Sequence, residues 1–155
     1  MNAPLSSHIL PTVSVRPLPS AMLSALQARF GTRCSTAQAV REQHGRDESP
    51  FPITPPEAVV FCESTDDVVA AVQLAHEHAV PVIPYGTGSS LEGHLLAVQG
   101  GVSVDVSRMT SIVRINAEDL TATVQAGVTR EAKIISVTTY RGDNPIYHSL
   151  IVRPQ

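Results

Sequence analysis

Short apolar runs, separated by polar stretches rich in proline and glycine, divide the chain into elements. From Ser20 to Phe30, Leu23, Leu26 and Phe30 recur at helical spacing. Ser20 stands where a cap is needed and Gly31 where a helix would end, so the pattern predicts a helix there. A polar segment with a second predicted helix, Thr36 to His44, follows. Pro50, Pro52, Pro55 and Pro56 then impose an extended path, because proline fixes its own φ and restricts the residue before it. Ala58 to Phe61 reads as a buried strand. Ser64 and Asp67 stand at capping-box spacing before a helix whose apolar face is Val68, Val69, Val72 and Leu74-Ala75, running down to His78. Pro81 to Pro84 reads as the next strand. Residues 58–84 are therefore expected to form one β-α-β unit with a parallel pair and a right-handed crossover.

Farther on, Val102 to Val106 reads as a strand and Arg108-Met109 as a turn. Ser111 to Ile115 and Leu120 to Ala126 alternate apolar and polar residues, as hairpin strands exposed on one face do, with Asn116-Ala117-Glu118-Asp119 as the connection. Gly127 ends the second strand, and Thr129 is placed to cap a following helix. There is no internal repeat and no low-complexity tract.

Candidate chemistry concentrates in Pro84-Tyr85-Gly86-Thr87-Gly88-Ser89-Ser90-Leu91-Glu92-Gly93-His94, at the carboxyl end of the strand before it. Open α/β sheets tend to bind ligands at that end. Glycine tolerates positive φ and lets backbone approach a ligand, and successive N–H groups can converge into an anion nest. Thr87, Ser89 and Ser90 add hydroxyl donors. Such a set suits a diphosphate held by backbone and hydroxyls, although a Gly/Ser surface turn has the same composition. A P-loop requires a Gly-Lys-Ser/Thr step, and no Lys lies near this loop. A dinucleotide fingerprint requires a third glycine and a crossover helix. Leu91 takes the glycine's place, and Leu91 to Gly101 holds at most two turns of helix, although Asp105 lies at a suitable distance.

Six blocks in order resemble the amino-terminal flavin domain of the FAD-linked oxidase family, the vanillyl-alcohol-oxidase or cresol-methylhydroxylase type. They are His44-Gly45-Arg46-Asp47-Glu48-Ser49, Pro55 to Phe61, Ser64 to Val68, the 84–94 loop with Gly100-Gly101-Val102, Asp105 to Met109, and Val124 to Thr129. Within the family the likeness is to the D-lactate dehydrogenase (cytochrome) and glycolate oxidase flavoprotein branch. The resemblance implies an α+β fold: a β-α-β unit with parallel strands, followed by a second mixed or antiparallel sheet, incomplete at the carboxyl end. It implies that Pro84, Tyr85, Gly86, Thr87, Gly88, Ser89, Ser90, Leu91, Gly93 and His94 hold FAD. It also implies a parent reaction that oxidises a 2-hydroxy acid to a 2-oxo acid and passes electrons to an acceptor. Some relatives attach the flavin covalently through a His in this loop. Ser89 takes that place and cannot form the link, so non-covalent FAD is expected.

The resemblance stops after Arg130. The expected organisation is an arm with helices over 1–54, the first part of the FAD-binding domain over 55–130, and a divergent tail over 131–155, as truncation or frameshift would produce. Ile134 to Tyr140 is β-branched and favours a strand. The family's catalytic and substrate-binding residues belong to a cap that follows, so no position here is assigned a catalytic role, and the 155-residue chain alone is expected not to turn over 2-hydroxy acids.

Composition narrows the remaining classes. The 155 residues are 43% hydrophobic and 16% charged with a net charge of -3, which offers no electrostatic footprint for nucleic acid. Aromatics are 4% with no Trp, so platforms for base stacking are scarce. Met1 to Pro19 has one Arg, four prolines and no apolar core, unlike a secretory signal. No stretch is long and apolar enough to span a bilayer, which leaves the cytoplasm or a peripheral place at the inner membrane face. Cys34 and Cys62 are isolated and fit reduced thiols.

Several residues invite a stronger reading than they carry. His76 and His78, two apart on a helix, point to different sides and make a poor metal pair. Asp66 and Asp67 are explained by the helix dipole and capping. His94 reads equally as a flavin-side contact or as loop packing. Arg46 beside Asp47 and Glu48 reads as a solvated cluster more readily than as an anion contact. Two alternatives to the flavoenzyme portion stay open: a truncated, non-catalytic FAD-binding fragment, and a nicotinamide-dependent dehydrogenase with a degenerate loop.

Overall fold

A computed structural model describes residues 17–116 and 121–129 in full, together with the backbone of 136–141 and 144–149. The central unit is a four-stranded sheet ordered β1-β2-β4-β3, from β1 (Cys34–Ser35), β2 (Ala58–Phe61), β3 (Val82–Tyr85) and β4 (Val102–Asp105). β4 lies parallel between β2 and β3, and β1 runs antiparallel to β2. The expected parallel pair of strands is thus split: β2 and β3 share a sheet but not hydrogen bonds. β4 takes the centre because every one of its residues is buried. It is also preceded by Gly101, where any Cβ would collide with the Pro81 carbonyl. That close approach lets the Val102 N–H donate to Pro81 O at 3.0 Å and the Glu57 N–H donate to Gly101 O at 2.8 Å.

Helix α1 (Ser20–Phe30) and helix α3 (Thr65–Glu77) supply the layer against this sheet. Met22, Leu26 and Phe30 bury one face of α1, together with Ala58, Val60, Val102 and Val104 of the strands. Met22 takes the place expected of Leu23, which is only partly buried. Ser20 is the first helical residue and not the cap. Pro19 precedes it and makes no side-chain capping bond, since its ring carries no acceptor. Gly31, at φ 56°, ends the helix as the sequence indicated.

Ser64 caps α3, its Oγ accepting from the Asp67 N–H at 3.2 Å. The buried stripe is Asp67, Ala71 and Ala75, whereas Val69 and Val72 are exposed. Small alanines let the helix backbone approach the sheet, and Val68 and Leu74 pack at the stripe's flanks. α2 (Gln38–His44) is shorter than the predicted Thr36–His44.

β5 (Ile112–Asn116) and β6 (Thr121–Val124) form the expected antiparallel hairpin; β6 buries Ala122 and Val124 beside Val128, whereas β5 buries neither face, contrary to the one-sided exposure expected of it. Most of the 116–119 connection and the helix start after Thr129 lie outside the described residues. β7 (Ser136–Arg141) overlaps the β-branched stretch 134–140 and pairs antiparallel with β8 (Asn144–Ser149), a second strand that the sequence pattern did not signal.

Candidate functional site

Three strands end side by side, and the register fixes which residues meet there. Phe61 of β2 is opposite Asp105 of β4, which is opposite Tyr85 of β3. Parallel pairing therefore brings together an aromatic, a carboxylate and a second aromatic from distant parts of the sequence. His44, the last residue of α2, inserts among them. Its ring lies 4.1 Å from that of Tyr85 and meets Phe61 edge-on at 5.6 Å.

His44 and Asp105 are almost completely buried. His44 Nε2 lies 2.9 Å from Asp105 Oδ2, and Nδ1 lies 2.8 Å from Val40 O. Each ring nitrogen thus faces an oxygen within hydrogen-bond distance. Burial pushes the Asp105 carboxyl upward, but hydrogen bonds from His44 and Ser107 outweigh it and hold its pKa below the ordinary carboxylate value. Tyr85 shifts the other way. Burial, and then the charge of Asp105, raise its pKa and keep the hydroxyl protonated.

The 84–94 loop leaves β3 directly above this cluster. Pro84 lies in the strand with its surface exposed, and Tyr85 is buried beneath the loop. Gly88 has φ 76°, and a Cβ there would lie 2.5 Å from the Tyr85 hydroxyl. Gly93 also has φ 76°, and its Cβ would meet the Phe51 ring at 2.8 Å. Gly86 differs from both. It lies outside the left-handed region, and a Cβ there would meet no protein atom within 4 Å.

Thr87 Oγ1 and Ser89 Oγ are 3.0 Å apart and exposed, and Ser90 Oγ bonds His94 Nδ1 at 3.0 Å. Of the two readings of His94, the structure shows an exposed side chain paired within its own loop. Leu91 is strongly exposed.

A cleft of about 400 Å³ opens between this loop and the end of α2. One wall is Tyr85, Thr87 and Gly88; the other is Ala39, Glu42 and Gln43 with Arg46, Asp47 and Glu48. The two walls are fastened together by the Glu48 N–H, which donates to Ser90 O at 2.8 Å. Asp47 accepts from the Ser49 hydroxyl and N–H; that hydroxyl, with help from Ser90 and Gly93, holds its carboxyl below the ordinary range. Arg46 is the one cation lining the cleft among the described residues. The sequence pattern pointed to the loop wall but not to α2 as its counterpart. The only signal for the second wall was the block from His44 to Ser49, adjacent to a predicted helix end.

The loop does not serve a nucleotide in the crossover-helix manner. Leu91 to Gly101 forms turns and an isolated bridge, with no helix. The Asp105 carboxylate is already taken up by His44 and by the Ser107 N–H at 2.6 Å, so it is not presented to a ribose.

Comparison with known proteins agrees with this geometry. Residues 56–132 match the family described as FAD binding domain. They belong to it. A probable mitochondrial D-lactate dehydrogenase of Danio rerio is 42% identical over 113 residues, which are 73% of this chain and 22% of the relative. The glycolate oxidase subunit GlcD of Bacillus subtilis is 35% identical over 92 residues, 59% of this chain and 20% of the relative. The chain thus spans about a fifth of the length of these curated relatives.

Among solved structures, an alkyldihydroxyacetonephosphate synthase superposes with a TM-score of 0.65 at 26% identity, over 75% of this chain and 26% of that one. A p-cresol methylhydroxylase with substrate bound superposes with a TM-score of 0.61 at 20% identity, over 72% of this chain and 23% of that one, which speaks for the fold alone. The vanillyl-alcohol-oxidase type of fold, with its parallel strands and a further antiparallel sheet, is the one expected from the sequence.

Among the described residues, no group of three or more His, Cys, Asp or Glu is placed to hold a metal ion. No helix among them is long and apolar enough to cross a membrane.

Proposed function

We propose that this chain is the cofactor-binding portion of a flavin-dependent 2-hydroxy-acid dehydrogenase or oxidase, of D-lactate or glycolate type, and that Pro84 to His94 cradle the FAD diphosphate. The observation that carries the reading is Gly86. Gly88 and Gly93 are explained by their φ and by the rings beside them, whereas no protein atom accounts for glycine at 86. A position left bare beside an open cleft, next to exposed hydroxyls, suits backbone that must lie against a ligand.

The donor set fits a diphosphate. Gly86 to Ser90 offer N–H groups, Thr87 and Ser89 offer hydroxyls, and Tyr85 stays protonated as a donor at the cleft wall. When bound, FAD supplies an acceptor for the electron pair released as the hydroxyl-bearing carbon of a 2-hydroxy acid is oxidised to a carbonyl. The chain's own part is to hold the phosphates with neutral donors, to bring Arg46 to the facing wall, and to exclude water beneath the loop with Tyr85 and Phe61. Ser89 provides no imidazole for attachment, which supports non-covalent FAD. The names of the relatives support 2-hydroxy acids as the substrate class. Residues 55–130 are taken as the first part of the flavin domain, preceded by the arm and helices of 1–54 and followed by the divergent 131–155. We place the protein in the cytoplasm or at the inner membrane face.

Titration of the full chain with FAD and, separately, with NAD tests the reading. The expected result is a visible flavin absorption that stays with the protein through desalting, and no saturable NAD binding. NAD binding without FAD binding would overturn it.

A further inference from the structure

Resting on the reading that the 84–94 loop holds FAD, we propose that His44 is the positioning residue of that loop, acting through Tyr85 on Gly88. His44 does not line the cleft. Its ring is fixed at both nitrogens, by Val40 O of α2 at 2.8 Å and by Asp105 Oδ2 of β4 at 2.9 Å. Tyr85 lies over that ring at 4.1 Å. The Tyr85 hydroxyl in turn lies under Gly88, so close that a Cβ would be 2.5 Å away. One continuous stack therefore runs from the carboxyl end of the central strand to the left-handed residue of the loop.

The same histidine ends the helix that leads into Arg46, Asp47 and Glu48, so its clamp also sets where the facing wall stands. A buried polar pair satisfied at every nitrogen specifies one arrangement, and a rigid support keeps binding groups in place before the ligand arrives. The loop's own bonds, Thr87 to Ser89 and Ser90 to His94, are short-range and exposed. They do not tie Gly86 to Gly88 onto the sheet; the His44 stack does.

The test measures FAD affinity by titration of the full chain in four variants. His44→Leu deletes the clamp. The double variant His44→Leu/Asp105→Leu deletes it without leaving a buried charge unpaired, which protects folding. His44→Gln restores an N–H donor toward Asp105. Leu26→Val, in the core away from the loop, matches a general loss of stability.

The expected result is a loss of about tenfold or more for the single and double leucine variants, recovery to within about threefold for His44→Gln, and no change for Leu26→Val. Wild-type affinity in the folded leucine variants would overturn the proposal, as would an equal loss in Leu26→Val. Should the wild type bind no FAD, the FAD reading fails by itself and amide exchange decides the positioning role. Exchange at Gly86 to Ser90 that is faster in the double variant than in Leu26→Val supports it, and equal exchange overturns it.

Discussion

The carboxylate of Asp67 receives the guanidinium of Arg33, which ties the first turn of α3 to the short 3-10 turn Gly31–Arg33 that follows α1. Asp67 also accepts the Glu63 N–H at 3.1 Å, and its own N–H donates to Ser64 Oγ. A residue read from sequence as a capping carboxylate is therefore also the buried joint between two helices. Asp67→Ala would take the carboxylate from the Glu63 N–H and from the Arg33 guanidinium, which keeps the Phe61 carbonyl and the Glu63 carboxylate nearby. The expected cost is about 1.5–3 kcal/mol, that of hydrogen bonds made to a charged group, read from urea unfolding of the variant against wild type. A midpoint equal to wild type would mean that water replaces the carboxylate at no cost.

The same pair sets an acid limit. The Arg33 hydrogen bond, against the opposing effect of burial, holds the Asp67 carboxyl below its ordinary value. A depressed folded-state pKa contributes stability that is fully present above the unfolded value, about 3.9, and is lost as pH falls through the folded one. Wild type is thus expected to lose melting temperature steeply below about pH 4, and Asp67→Asn to show a shallower acid slope from a lower starting point. Parallel slopes for the two proteins would show that the acid limit is set elsewhere, with Asp105, depressed in the same direction, the next to examine.

Ala79 is the one non-glycine residue with positive φ among those described, at 52°. It follows the end of α3, where the Val80 N–H donates to Ala75 O at 2.9 Å and the Ala79 N–H donates to His76 O at 3.1 Å. That closure places a left-handed residue after the helix, the position that glycine fills most cheaply. Ala79→Gly is expected to stabilise by about 0.5–1 kcal/mol, as relief of the Cβ strain exceeds the added chain entropy. Thermal unfolding checks it, and a lower midpoint would contradict the strain argument.

Much of this fold was legible because its elements advertise themselves locally. Ser64 at a helix start, Gly31 at a helix end and the alternation through Ser111 to Ile115 are signals that one segment carries alone. What sequence reading missed depends on partners remote in the chain. β4 enters between β2 and β3 because its residues are all buried and Gly101 fits under Pro81, and no local pattern states which strands it will separate. The buried stripe of α3 runs through Asp67, Ala71 and Ala75. Apolar periodicity favoured the bulkier valines, but closeness to the sheet selects small residues, and Arg33 makes an acid tolerable there. In the site, glycine and hydroxyl content disclosed the loop. His44 and Asp105, 61 positions apart, were visible only as a motif member and as a carboxylate at a tempting spacing.

Flavin attachment gives a further prediction. Ser89 has only a hydroxyl, exposed and 3.0 Å from that of Thr87, and it offers no nucleophilic nitrogen to a flavin methyl group. Acid precipitation of protein loaded with FAD is expected to leave all of the flavin in the supernatant. Flavin fluorescence in the washed pellet would show a covalent link through some other residue.

The two glycines that open the loop should separate stability from binding. Gly88→Val places a β-branched residue at φ 76° and drives its Cβ to 2.5 Å from the Tyr85 hydroxyl, so strain and collision act together. It is expected to lower the melting temperature and to abolish FAD binding. Gly86→Val meets neither obstacle, since φ there lies outside the left-handed region and no protein atom comes within 4 Å of the new Cβ. Its unfolding free energy is expected within about 0.5 kcal/mol of wild type, as for an unhindered surface substitution. If the bare backbone at 86 is where the diphosphate lies, the same side chain displaces it, and FAD affinity should fall by at least about tenfold, or 1.4 kcal/mol. Calorimetric titration beside thermal unfolding reads both quantities on the same samples. Gly86→Val protein that binds FAD as wild type does would remove the loop from the cofactor site, whatever Gly88→Val shows.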